Sequence, residues 1–275
     1  TEINKLEDRC DLNGLLKDEY KNKIILSEYD IIKEPKEIDL EINEENYLNL
    51  KKLSKENGFT INSIIQYFIH KILSIYGNSS QTVIGTTLSG RDLPIKNIDK
   101  SVGLYINTLP LIINHNETGE SIVDAIKYTQ DKINDMIIRT NIDLSKIKIN
   151  ENKRKLFDCL FVYENYPVPI KKNNDNSFKI EFKNSFEKVD YPLSFIAYEE
   201  NTIKKKNTSI KIKIQYAGEI FENDTIIGLK KVLLNLIEQS VSYPLMKINN
   251  LIYLSKYQLN QINEWNKTDQ DYPEL

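Results

Sequence analysis

Apolar residues recur along the chain with two periods, one of two residues and one of three to four. The shorter period is typical of half-buried strands, and the longer one is typical of helices with one buried face. Interleaved elements of both kinds predict an α/β protein whose mixed sheet is flanked by helices. The pattern predicts strands at 37–42, 81–88, 104–114, 156–163, 178–182, 193–198 and 210–216, and helices at 44–56, 61–76, 121–138, 225–240 and 256–265.

Several boundaries carry signals of their own. Thr60 is expected to cap the second helix, and Asn57 with Gly58 is expected to end the first. The segment 104–114 is mostly apolar and β-prone, which predicts a buried strand. Pro110 lacks an N–H group, so we expect it near a bulge or at the edge of the sheet.

Composition excludes several classes of function. The 275 residues are 40% hydrophobic, which suffices for a sizeable core, and 37 basic against 40 acidic residues give a net charge of −3. That balance is not the signature of a nucleic-acid-binding protein. No apolar run approaches the roughly 20 residues of a membrane span. Two isolated cysteines, Cys10 and Cys159, indicate neither a disulfide framework nor a zinc site, and they favour a cytoplasmic protein.

Candidate catalytic groups are few. The chain has two histidines, His70 and His115, and neither lies in an HxxxD or HExxH spacing. We interpret both as structural or surface residues, so metal binding has no support. The sequence contains no glycine-rich nucleotide loop and no GxSxG elbow.

Two segments stand out by their order and spacing. Residues 84–111 read IGTTLSGRDLPIKNIDKSVGLYINTLPL, and residues 156–166 read LFDCLFVYENY. The first resembles the Gly-Arg turn, variable loop and VGxFxNTLP strand of condensation domains from nonribosomal peptide synthetases. The second resembles the LFDTxFVYENYP signature of the same family. Further segments at 52–76, 191–193 and 258–273 are similar to that family too, so the resemblance runs from about residue 37 to the end.

The resemblance implies a fold and a reaction. Condensation domains resemble chloramphenicol acetyltransferase: two similar α/β halves form a V with a tunnel between them. An acceptor amine attacks a donor thioester there, beside an HHxxxDG motif in the first half. This chain has no His-His pair. The resemblance therefore implies a C-terminal half-domain that is inactive alone, with a connector at 1–36, the subdomain at 37–254 and a linker toward an adenylation domain at 255–275.

The resemblance also implies partners. We expect an N-terminal condensation subdomain, donor and acceptor peptidyl carrier domains and an adjacent adenylation domain, but neither nucleic acid nor a membrane. No cofactor is expected to bind directly, because 4'-phosphopantetheine is carried by the carrier domains. The run from Asn107 to Pro110 favours true condensation, since epimerization relatives usually lack it.

Site residues follow from the matched motifs. Arg91 and Asn107 are the candidates for the substrate tunnel. For Arg91 the alternative is a turn residue beside Asp92, and for Asn107 it is a purely structural amide. Five residues are expected where the chain crosses between the halves: Tyr163, Glu164, Asn165, Tyr166 and Pro167. The role of the first three is interpreted as structural, whereas Tyr166 and Pro167 are expected to dock on the other half.

Two other functions stay open. The chain is alternatively a non-catalytic docking or scaffolding module of a peptide synthetase, or another acyltransferase of the same fold. HHxxxDG immediately upstream would support the half-domain of an amide-forming enzyme, and its absence there would support the docking module.

Overall fold

A computed structural model of the chain describes residues 12–29, 31–91, 95–140, 142, 155–164, 190–202, 207–254 and 256–268. The predicted mixed α/β architecture is confirmed. The strands are β1 (Pro35–Ile42), β2 (Gln81–Leu88), β3 (Asn107–Asn114), β4 (Cys159–Glu164), β5 (Leu193–Thr202) and β6 (Asn207–Ala217). The helices are α1 (Glu44–Asn57), α2 (Ile61–Tyr76), α3 (Ile122–Ile137), α4 (Asn223–Ser242) and α5 (Lys256–Trp265).

The six strands form one mixed sheet in the order β1-β6-β5-β4-β2-β3. The β2–β4 and β4–β5 pairs are parallel, and the other three pairs are antiparallel. The strand directions bring the C-terminal ends of β2 and β4 and the N-terminal end of β3 to the same side of the sheet. We call this row of strand ends the upper edge, and it carries Leu88, Asn107 and Glu164. The opposite, lower edge carries Gln81 and Asn114.

Alternation along the strands assigns the two faces of the sheet. Ile84, Phe161 and Phe195 belong to the main core together with apolar residues of α1, α2, α3 and α4. Their neighbours Val83 and Leu160 belong to a separate cluster around Phe157 and Leu156. The helices therefore cover the face that carries Ile84, as the period of two requires.

The helix boundaries follow the predicted capping residues. The Thr60 hydroxyl accepts a hydrogen bond from the Ser63 N–H, so Thr60 is the N-cap of α2 as predicted. Both the N–H and the hydroxyl of Thr60 also donate to Oε1 of Gln130 on α3, at 2.9 and 2.8 Å. Gly58 ends α1 in the left-handed conformation, with φ of 74°, which a glycine adopts without strain.

The strand prediction for 104–114 was wrong at its start. β2 ends at Leu88, which pairs with Asn107, so residues 104–106 have no partner strand in this pairing. Leu104 is 90% exposed. β3 is the outermost strand, which confirms the edge position of Pro110, and its buried residues alternate with half-buried ones.

The strand predicted at 156–163 begins three residues later, at Cys159. The preceding Phe157 does not extend the strand, because its ring is buried against Gly85 and stacks on Tyr191 with 5.2 Å between centroids. The loop predicted at 167–177 and the strand predicted at 178–182 lie outside the described residues.

The segment before β1 contributes to the core. Leu12, Leu15 and Leu16 are buried in the main cluster, and the Lys17 N–H donates to the Ile220 carbonyl at 2.9 Å. The described part of the predicted connector is therefore packed on the domain. The boundary at residue 36 stays a prediction.

Glu219 clamps this segment just before β1. Its carboxylate accepts hydrogen bonds from the Tyr29 hydroxyl and from the N–H groups of Lys33 and Glu34, the last at 3.0 Å. Burial raises the pKa of Glu219, but these hydrogen bonds outweigh it and lower that pKa below its usual range.

Glu219→Gln is expected to lower the free energy of unfolding by about 1 kcal/mol at pH 7, since the site is partly open to solvent. A lowered folded-state pKa stabilises above the ordinary glutamate pKa, and that contribution is lost as the pH falls through the folded value. The deficit of Glu219→Gln should therefore shrink between pH 5 and pH 3 in urea denaturation. Glu19→Gln, at an exposed site, is the control, and a deficit independent of pH would contradict the clamp.

A second clamp holds the chain after α4. The Gln239 side chain bonds both polar groups of the Ile252 backbone: Nε2 donates to its carbonyl at 2.8 Å, and Oε1 accepts from its N–H at 3.0 Å. Asn235 Nδ2 donates to the same carbonyl at 2.7 Å. Ile252 is thus fixed to α4, and three residues separate it from the start of α5.

Candidate functional site

The upper edge of the sheet brings the described candidate residues together. Asn107 opens β3, Arg91 follows the end of β2, and Tyr163 and Glu164 end β4. Because β2 lies between β3 and β4, the ends of the three strands lie side by side, with neighbouring strands about 5 Å apart. Asn165, Tyr166 and Pro167 lie outside the described residues, so their predicted role at the crossing stays a prediction.

Arg91 organises the loop between β2 and β3. Its Nη1 donates to the carbonyls of Ile98 and Ser101 at 2.8 and 3.1 Å. Its guanidinium carbon lies 4.7 Å from the centroid of the Tyr105 ring, a cation–π arrangement. Within the described residues no carboxylate pairs with Arg91. The loop therefore fixes a guanidinium whose positive charge is not neutralised by any acidic side chain that the structure describes.

Gly90 makes that loop sterically possible. Its φ is +65°, in the left-handed region. A Cβ atom at this position would lie 2.0 Å from the carbonyl oxygen of Tyr105. Position 90 therefore requires glycine, and the next residue, Arg91, supplies the cation that holds the loop together.

Asn107 bonds backbone groups through both atoms of its side-chain amide. Its Nδ2 donates to the carbonyls of Thr140 and Ile142, both at 2.8 Å, and its Oδ1 accepts from the Thr108 N–H at 2.9 Å. Both hydrogens on Nδ2 are thus donated to backbone carbonyls of the segment after α3. This geometry favours the structural interpretation, and a role in the tunnel stays a prediction.

A carboxylate joins Tyr163 to the first helix. The hydroxyls of Tyr47 and Tyr163 both donate to Glu199 on β5, at 3.0 and 3.3 Å. Burial and Glu199 raise the pKa of Tyr47 to about 12, and the same causes raise the pKa of Tyr163. Both phenols therefore remain protonated donors, and through Glu199 they link the end of β4 to β5 and α1.

The two histidines form a buried chain that the sequence did not reveal. His70 Nδ1 lies 2.7 Å from the Thr82 hydroxyl, which lies 3.0 Å from His115 Nε2. Burial and the nearby His115 lower the pKa of His70, and burial with the nearby Lys71 lowers the pKa of His115 to about 3. Both rings are neutral at physiological pH, in keeping with a structural role. The contacts link α2, β2 and the turn after β3, so spacing in the sequence gives no signal for them.

The described residues offer neither a metal centre nor a membrane span. No group of three or more His, Cys, Asp or Glu side chains among them is placed to hold a metal ion. None of the described helices combines the length and the apolar character needed to cross a membrane.

Apolar side chains surround the candidate residues at the upper edge. Val102 and Leu104 lie in the loop closed by Arg91, Ile106 directly precedes Asn107, and Ile138 follows α3. All four are exposed, and Ile138 is 73% exposed. Large apolar groups concentrated in this way are typical of a surface that meets another protein.

The six-stranded mixed sheet with helices packed on one face fits the chloramphenicol acetyltransferase-like fold. The condensation domain family model matches residues 5–262 of the chain. The chain therefore belongs to the condensation domain family.

Curated relatives are peptide synthetases. The chain is 35% identical to N-(5-amino-5-carboxypentanoyl)-L-cysteinyl-D-valine synthase of Penicillium rubens over 99% of its own length. It is 30% identical to the synthase of the same name from Amycolatopsis lactamdurans, and 29% identical to bacitracin synthase 3 of Bacillus licheniformis over 86% of the chain. It spans 7% of each of the first two relatives and 4% of the third.

Solved structures share the fold at low identity. The X-domain in complex with OxyB from teicoplanin biosynthesis matches with a TM-score of 0.59 and 17% identity, covering 81% of this chain and 49% of that one. A four-domain nonribosomal peptide synthetase bound to AMP and glycine matches with a TM-score of 0.64 and 13% identity, covering 82% of this chain and 18% of that one.

Proposed function

We propose that the chain is the C-terminal half of a condensation domain and that it supports peptide-bond formation together with an N-terminal half that carries HHxxxDG. The observation that carries the proposal is the match to about half of the X-domain, 49% of its length, by a chain without a His-His pair. The exposed apolar groups at the upper edge support it, because they are placed to be covered by a companion.

The chemistry divides between the halves. Amide formation needs two tethered reactants in close contact, stabilisation of developing charge, and proton transfer. We assign the proton-transfer group to the companion half. The upper edge of this half supplies a fixed wall, with the Arg91 guanidinium as the cation beside it.

Substrates would reach the site on partners. In this proposal donor and acceptor peptidyl carrier domains present thioesters on phosphopantetheine arms, which are part of the substrate. The multidomain synthetases among the relatives support carrier and adenylation domains as neighbours. The absence of a membrane-spanning helix among the described residues fits the cytoplasmic location that we propose.

Complementation tests the proposal. This chain and an N-terminal half bearing HHxxxDG, expressed together, should co-purify and form peptide from loaded carrier domains, as read by mass spectrometry of the carrier-bound product. Each half alone should give no product above the level without protein, because the histidine and the opposing wall are then separated.

A variant of the N-terminal half with its second motif histidine replaced by alanine is the control. It should still bind but yield no product. Turnover by this chain alone, or a folded N-terminal half that neither binds nor rescues, would contradict the half-domain proposal.

A docking module is the second candidate. One fold relative was solved as a complex of the X-domain with OxyB, which is the observation in its favour. A docking module predicts binding to neighbouring domains without restored chemistry, so the same assay separates the two functions.

A further inference from the structure

A polar cavity of about 840 Å³ lies at the lower edge of the sheet. The end of α2, the turn after β3 and residues 247–249 line it. The seven residue steps of β2 span about 23 Å, so the cavity is far from Arg91 at the upper edge. Its volume is within the range of small-molecule sites, about 300 to 1,000 Å³.

The charges that line this cavity do not balance. Lys247 pairs with Glu120 at 3.3 Å, which leaves Lys71. Lys71 is half-buried, and within the described residues its ammonium has neither an acidic partner nor a hydrogen bond. Burial accordingly lowers the pKa of Lys71. His115 is neutral, so one positive charge remains uncompensated among the described residues that line the cavity.

Further hydrogen-bonding side chains line the same cavity as Lys71. The exposed side chains of Asn78, Ser80, Asn116 and Asn249 are among them, and none of them has a partner within the part of the chain that the structure describes. A carboxylate accepts about four hydrogen bonds and carries one negative charge. A dianionic phosphate would exceed the single free positive charge.

We propose that this cavity is a binding site for a small polar carboxylate, with Lys71 pairing with its carboxyl group. The amides and the hydroxyl bind its remaining oxygens. The volume exceeds that of a carboxylate alone, so the rest of the ligand is hydrophilic, as the lining is. The site is independent of the condensation function proposed above.

NMR titration of the full chain tests the proposal. Sodium gluconate serves as a carboxylate on a polyhydroxylated body, acetate as the carboxylate alone, inorganic phosphate as the competing anion, and chloride as the reference at equal ionic strength. Gluconate should saturably shift the amide signals of residues 115–120 and 247–249, raise the pKa of Lys71 and leave residues 88–91 unchanged. Acetate should act at the same residues more weakly.

Substitutions of lysine distinguish binding at this cavity from a general effect of the net charge. Lys71→Met should weaken gluconate binding at least tenfold, and Lys71→Arg should retain it within about threefold. Lys55→Met removes one exposed positive charge on α1 and should change nothing. Thermal melts confirm that each variant is folded. A response no greater than that to chloride, undiminished binding by Lys71→Met, or tighter binding of phosphate than of gluconate would overturn the proposal.

Discussion

Gly90→Ala is expected to lower the free energy of unfolding by about 2–3 kcal/mol and to reduce condensation by the complemented domain about tenfold or more. The left-handed conformation alone costs alanine about 1–2 kcal/mol. In addition, the new Cβ would lie 2.0 Å from the Tyr105 carbonyl oxygen, so the backbone must move. That movement takes Tyr105 away from the Arg91 guanidinium.

Gly58→Ala is the matched control. Gly58 has a similar φ of +74°, but nothing lies within 4 Å of the Cβ position. The Gly58→Ala variant should therefore lose only the free energy that alanine needs to adopt a positive φ, because no clash arises. Its condensation activity should be unchanged. Urea denaturation and the condensation assay measure both variants. Equal losses for the two would show that the contact with Tyr105 is unimportant.

Asn107→Ala is expected to cost about 2 kcal/mol of stability, because two backbone carbonyls each lose a donor worth about 1 kcal/mol. Asn107→Asp should cost at least as much, since it sets a carboxylate against the same carbonyls of Thr140 and Ile142. Asn49→Ala, at an exposed position of α1, should stay within about 0.5 kcal/mol.

The Asn107 variants also separate its two interpretations. A structural amide predicts that activity falls in proportion to the loss of folded protein, as measured by denaturation. An amide that faces substrate predicts a lower rate per folded molecule with unchanged stability. Unchanged stability in Asn107→Ala would contradict the hydrogen bonds to the segment after α3.

The main elements were predictable because their signals are local. Helix α2 follows from a periodic apolar face that begins directly after the capping residue Thr60, and β2 follows from a β-prone run of eight residues. The start of β3 was not predictable, because it depends on where β2 ends, in a pairing formed across the loop. The same is true of Phe157, whose ring packs against Gly85 instead of extending a strand.

The candidate site was predictable only in part. Resemblance pointed to Arg91 and Asn107, and the topology places both at the upper edge. Their contacts were not readable, because Asn107 bonds carbonyls 33 and 35 residues away. The cavity around Lys71 lacks any sequence signature for a similar reason: its lining comes from three separate segments whose meeting depends on the fold.

The clamp on Ile252 sets a tether length for whatever the chain carries beyond α5. The four Cα steps from Ile252 to Lys256 can span at most about 14 Å, and the ten residues of α5 add about 15 Å. A group joined after Trp265 is thus confined within about 29 Å of Ile252, an effective concentration on the order of ten millimolar. At such a concentration a contact with a dissociation constant near one millimolar is mostly occupied, yet it still opens readily. A substitution that breaks the hydrogen bonds of Gln239 to Ile252 would lengthen the tether and lower the effective concentration of the attached group. The surface that this group contacts would not change.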